Sequence, residues 1–130
     1  MINREALAWA AGFFDGEGYT GLSKFSTTGR KGRKLSRWKR YPTISISQTG
    51  TGEELHRFNK AIGSIGKVNG PYGPYSMNSK PYYQFQLSGF EKVQAVVAML
   101  WEFLCTPKRE QATSVLERYL KQPNYKGELP

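Results

Sequence analysis

Ala10-Ala11-Gly12-Phe13-Phe14-Asp15-Gly16-Glu17-Gly18 closes the first helical pattern of the chain and opens its first strand. Upstream, Leu7, Ala11 and Phe14 recur at helical spacing, and Asn3 has the short polar side chain that starts helices. A helix over Asn3–Asp15 is therefore expected, ended by Gly16 and Gly18. Ala8 and Gly12 form a second stripe of very small side chains. Such a stripe lets two helices approach closely, and serves a helix packed on its own sheet equally well. At the end of the helix stand two carboxylates, Asp15 and Glu17, with one glycine between them and another after.

Outward from this segment the pattern changes to period two. Tyr19–Thr27 reads as a strand, Thr28–Ser36 as a basic hairpin loop, and Trp38–Gln48 as a second strand in which Ile44 and Ile46 alternate with Thr43, Ser45 and Ser47. Thr51 and Glu54 have the spacing of a capping box, which opens a helix carrying Leu55, Phe58 and Ile62 and stopped by Gly63. A second strand pair follows, Gly66–Tyr72 and Pro81–Ser88, with Tyr83, Phe85 and Leu87 alternating against Tyr82, Gln84 and Gln86. Ser88 and Glu91 repeat the capping-box spacing before Val93, Val97, Leu100, Trp101 and Leu104. Thr106 and Pro107 read as an N-cap and a first helical residue. The last helix carries Ala112, Val115, Leu116, Tyr119 and Leu120 on one face. The order predicts an α+β fold, with a four-stranded antiparallel sheet covered by helices on one face. One domain over residues 1–122 and a loose C-terminal tail over 123–130 are expected.

The 130 residues suit one modest core, and 38% apolar with 14% aromatic residues argues against global disorder. With no apolar run of membrane-spanning length and no signal-peptide pattern, the expectation is a soluble intracellular protein with no membrane partner. One cysteine, Cys105, excludes an internal disulfide, and beside a single His56 it makes no zinc site. Free cysteine is commonly buried, so Cys105 is expected in the core. Nineteen Lys and Arg against ten Asp and Glu give a net charge of +9. That surplus favours polyanionic partners. It is also unevenly placed. Gly18 to Gly52 holds no acid but contains Lys24, Arg30, Lys31, Arg33, Lys34, Arg37, Lys39 and Arg40, and Leu55 to Phe90 is again free of Asp and Glu. The acids fall mostly in the expected helices. A sheet face made of the acid-free strands can meet phosphates at its rim and base edges at its centre, where Gln84 and Gln86 suit adenine. Trp9, Trp38 and Trp101 are expected as packing residues.

Carboxylate oxygens suit Mg²⁺, a hard cation that keeps waters and takes phosphate oxygens as ligands. Two acids alone are a weak signal. The whole of Ala10–Gly18, however, resembles the LAGLIDADG signature, with Glu17 for its last Asp and Ala10 for its leading Leu. The family's α-β-β-α-β-β-α-α order matches the one read above. Gln48 falls where the family has a glutamine after the second strand, and Lys108-Arg109-Glu110-Gln111-Ala112 matches its K-x-x-Q-A pattern, so the resemblance runs from about Arg4 to Tyr119.

The resemblance implies a homing endonuclease, a hydrolase that cuts double-stranded DNA with Mg²⁺ or another divalent cation such as Mn²⁺ and no small-molecule cofactor. Glu17 is then the metal-binding acid, with the Gly16 carbonyl as a backbone ligand. Asp15 ends the helix near the site, Gln48 orients the hydrolytic water and Lys108 lies near the scissile phosphate. A further basic residue that some relatives carry just after the glutamine is missing: Thr49-Gly50-Thr51-Gly52 stands there, and Arg57 lies far along the next helix. Lys24, Arg30, Lys31, Arg33, Lys34, Arg37, Lys39, Arg40, Gln84 and Gln86 are implied as DNA-binding. One signature per chain implies a homodimer through Ala8, Ala11, Gly12 and Asp15, a near-palindromic target, a staggered cut across the minor groove, and intron homing as the setting. An RNA maturase or a non-cleaving DNA-binding regulator derived from the same fold are the other readings.

Overall fold

A computed structural model describes residues 2–25, 39–74, 77 and 79–122. Helix α1, Arg4–Glu17, runs without a break into strand β1, Gly18–Phe25. Strand β2 is Lys39–Thr49, α2 is Glu53–Ala61, β3 is Lys67–Tyr72, β4 is Tyr82–Ser88 and α3 is Phe90–Leu100. A single 3₁₀ turn, Trp101–Phe103, leads into α4, Thr106–Lys121. The expected α+β fold is present, with the element order read from the sequence. No helix among the described residues is long and apolar enough to cross a membrane. The loop cations Arg30, Lys31, Arg33, Lys34 and Arg37, together with Trp38 and the tail 123–130, lie outside the described residues.

The sheet is antiparallel in the order β1-β2-β4-β3. Register sorts its side chains into two faces, because directly paired residues share a face. One face holds the row Val68, Phe85, Ile46 and Gly18, and the row Leu87, Ile44 and Thr20. These residues join Ala10, Ala11 and Phe14 of α1, Leu55 and Phe58 of α2, Val93, Val96, Val97 and Leu100 of α3, and Ala112 of α4 in one core. All four helices therefore bury their apolar stripes on this side. Phe58 is its aromatic centre, with the Phe85 ring edge-on at 5.1 Å and Phe14 stacked at 6.1 Å.

Helix α4 also closes the free edge of β1. A strand edge presents unpaired carbonyls and amides, and leaving them without partners is costly. Lys108 Nζ donates to the Gly18 carbonyl at 2.5 Å, and one turn on, Gln111 Oε1 accepts the Thr20 amide at 3.1 Å. At the far end of α4, Gln122 pairs with both the amide and the carbonyl of Arg40, where β2 has run beyond β4. Side chains of α4 thus act as a short substitute strand.

Several boundaries differ from expectation. Asn3 caps α1 as expected, its Oδ1 accepting from Glu5 and Ala6. The helix, however, continues through Gly16 and Glu17, and Gly18 is the residue that leaves it. Neither capping box forms. Gly52, at φ +78, and Gly89, at φ +110, begin α2 and α3. The Tyr83 ring sits where a Cβ on Gly52 would be, and Ser88 stays in the ladder opposite Thr43. Cys105 rather than Thr106 caps α4, and it is exposed, not buried. Its position between two helices that abut end to end leaves no core around it. Leu120 is 66% exposed, and Trp101 lies beyond the end of α3 at the surface.

Candidate nucleic-acid-cleaving site

The last turn of α1 carries Asp15 and Glu17 and no basic residue. A helix C-terminus already bears about half a negative charge, so acids there are unfavourable for the helix alone. Two features of α4 offset this. Its N-terminal pole abuts the end of α1, with the Asp15 carboxylate accepting the Cys105 amide at 3.1 and 3.3 Å. Lys108, on the same first turns, brings its ammonium to Gly18, with the Phe14 ring 5.7 Å below. An ammonium has three donors, and the Gly18 carbonyl occupies one. Asp15 is thereby committed to holding α4, whereas Glu17 is exposed.

Gln48 reaches the same end of the molecule through the sheet. Gly18 pairs with Ile46, so Gln48, two residues on, lies level with the last turn of α1. It is half-buried and opposite Tyr83. Sheet register thus places Gln48 level with the end of α1 that carries Gly16 and Glu17. Arg57 does not belong to this group. Its guanidinium is stacked 3.8 Å over Trp9, two turns back along α1. Among the described residues no three His, Cys, Asp or Glu side chains gather to enclose a metal.

The sheet face away from the helices begins at this pole. Lys67, Gln86, Ser45 and Tyr19 form one cross-strand row, and Asn69, Gln84 and Ser47 another. Ser88, Thr43 and Gly21 form a third, with Ser23 Oγ 3.0 Å from Thr43 Oγ1. No Asp or Glu stands in these rows. Gln84 and Gln86 are placed on this open face as expected, and Asn69, Lys67 and Tyr19 join them. Alternation within β3 was obscured by its glycine and proline, so the sequence pattern did not single out Asn69. Lys24 and Lys39 lie at the hairpin ends of β1 and β2. Arg40 is exposed but has the parity of Pro42 and Ile44, which puts it on the helix side beside Gln122.

The small-residue stripe of α1 divides. Ala8 and Gly12 are exposed, and so is Gly16 one turn further, in line with them. A Cβ built on Gly12 or Gly16 meets nothing within 4 Å. Ala11 is fully buried in the chain's own core and has no surface for a second chain, which removes it from the expected interface.

No protein-family model matches the chain, and no curated protein matches it by sequence. Solved structures do. Over 95% of this chain and 71% of the other, it superimposes on the homing endonuclease I-CvuI in complex with its target, with a TM-score of 0.71 and 25% identity. The fold is that of the LAGLIDADG homing endonucleases. The LAGLIDADG homing endonuclease I-GzeII, in complex with its DNA target, matches over 94% of this chain but 38% of its own length, with a TM-score of 0.64 and 16% identity. The homing endonuclease I-TnaI matches over 92% of this chain and 72% of its own, with a TM-score of 0.64 and 19% identity. Within this LAGLIDADG fold, Ala10–Gly18 forms the last two turns of α1 and the step into β1.

Proposed function

We propose that the chain is one half of a site-specific DNA endonuclease that hydrolyses phosphodiester bonds in a long, near-palindromic duplex site. The observation that carries this reading is the acidic end of α1, with Lys108 fixed beside it, opening onto a polar sheet face free of acids. A duplex laid on that face would run its backbone past the end of α1, where Glu17 and Lys108 stand. I-CvuI, I-GzeII and other neighbours of this fold were solved on DNA.

The donor set fits Mg²⁺ or Mn²⁺. Glu17 offers a free carboxylate, and the final carbonyls of α1, Gly16 among them, point out of the helix end. That set is too small for a closed cage and suits a hard cation that completes its shell with water and phosphate oxygens. When bound, the cation supplies positive charge beside the phosphate and favours deprotonation of water. I-CvuI was solved on DNA with Ca and with Mg present. Glu17 and the Gly16 carbonyl would hold the cation, and the Gln48 amide would orient the attacking water. Lys108 Nζ neutralises charge on the transferring phosphoryl oxygens. Asp15 is a positioning residue that fixes the start of α4 and hence Lys108.

The exposed line Ala8, Gly12 and Gly16 supports a homodimer about α1, in which two acidic ends meet. The chain spans 38% of I-GzeII, which agrees with its acting as a half. The test is a cleavage selection from partly palindromic duplexes with Mg²⁺, with Glu17→Gln alongside. Enrichment of one long pseudo-symmetric site, lost in Glu17→Gln and in EDTA, is expected. Tight duplex binding without cutting points to a regulator, and preference for folded RNA to a maturase.

A further inference from the structure

Tyr19 follows Gly18 directly and lies on the open face, where it is 55% exposed. Its ring does not stand up from the sheet. A Cβ on Gly21 would lie 2.4 Å from Tyr19 Cε2 and 2.7 Å from its hydroxyl, so the ring lies along β1 over Gly21. Gly21 is buried beneath it, although its parity is that of the open face. The neighbours on this face are small, with Ser45 directly opposite and Thr43 and Ser47 on either side of it. Among the described residues the ring stacks on no other aromatic, whereas Tyr72 and Tyr82 are paired at 5.3 Å. Among the described residues the outer side of this flat ring is open, and it stands one residue from the carbonyl that holds Lys108.

We propose that Tyr19 is a substrate platform: its ring packs against the deoxyribose and base of the nucleotide adjoining the scissile phosphate and fixes that phosphate at Glu17 and Lys108. This rests on the endonuclease reading. A phosphate held at the α1 end places its own sugar beside the start of β1, whose first open-face side chain is Tyr19. Aromatic surfaces hold nucleotides with little regard to base identity, because every nucleotide offers an apolar face. Holding the reacting group in line raises turnover more than it raises affinity. Gly21 then supplies the space that the ring needs to lie flat.

The experiment compares cleavage by the wild type, Tyr19→Ala, Tyr19→Phe and Gly21→Ala on one selected site, with melting temperatures alongside. Tyr19→Ala is expected to lower kcat roughly tenfold or more, with a smaller change in KM, and to melt as the wild type does. Tyr19→Phe keeps the ring and is expected to cut normally. Gly21→Ala keeps the tyrosine but tips its ring off the strand, and is expected to fall between the two. Tyr19→Ala cutting at the wild-type rate would overturn the platform. So would a loss in Tyr19→Phe equal to that in Tyr19→Ala, which would assign the hydroxyl instead. A wild-type protein that cuts no duplex removes the endonuclease reading itself, and this one with it.

Discussion

Carboxylates in the last turn of a helix sit against the negative pole of its dipole, and α1 carries two, Asp15 and Glu17, with no basic residue in that turn. The structure accounts for Asp15, whose oxygens take the Cys105 amide. It does not account for Glu17, which is exposed and makes no hydrogen bond or ion pair among the described residues. An unfavourable acid without a structural partner is what a ligand for a cation looks like. Glu17→Gln keeps size and helix propensity while removing the charge. Cutting should vanish and duplex binding should stay within a few fold, read by cleavage and by gel shift; strong residual cutting would take Glu17 out of the metal site. Asp15 invites a paired test. Asp15→Asn retains an oxygen for the Cys105 amide and should melt within about 1 kcal/mol of the wild type. Asp15→Ala, which leaves the start of α4 untied, should be less stable and cut more slowly. Equal behaviour of the two variants would deny Asp15 its positioning role.

Between the elements, the join of α1 and β1 depends on Gly18 in a way that backbone angles do not reveal. Its φ of −86° is open to any residue, but a Cβ there would fall 2.0 Å from the Phe14 ring. Phe14 is part of the stack around Phe58, so it cannot swing aside without opening the core. Gly18→Ala should cost about 1–3 kcal/mol by overpacking and lower the melting temperature. An unchanged melt would mean that the ring has room to turn. The element order, the sheet and the core-facing strand residues were legible in the sequence because their signals are local periodicities. The likeness of three spaced motifs to one family singled out Glu17, Gln48 and Lys108, and the structure sets Lys108 on the Gly18 carbonyl directly after Glu17. The helix starts were not legible. Gly52 and Gly89 displaced the predicted caps because a ring contact and a ladder bond outweighed a side-chain cap. Nothing local distinguished Ala11 from Ala8, since only the packed fold says which alanine faces inward. Tyr19 was hidden for a similar reason: that its ring lies flat over Gly21 is a relation between two side chains, not a spacing.

Ala8, Gly12 and Gly16 form an exposed line on α1, with open space at both glycines among the described residues, and the proposed homodimer rests on that line. Glycine inside a helix costs about 1 kcal/mol relative to alanine, and α1 holds two at positions where its own chain leaves open space. The cost makes sense if a second helix backbone comes close there. For a symmetric pair the same stripe must serve both copies, and each acidic pole is brought beside its twin. Gly12→Leu separates this explanation from any role inside the chain. The added side chain points into open space, so the monomer should fold and melt as before, with leucine even favouring the helix. A pair of helices packed through Gly12 has no room for two such side chains. Sedimentation equilibrium should therefore find a dimer for the wild type and a monomer for Gly12→Leu. That monomer should bind a half-site weakly and fail to make a double-strand break. A dimer of wild-type strength from Gly12→Leu would place the interface elsewhere and leave the two glycines of α1 without a cause.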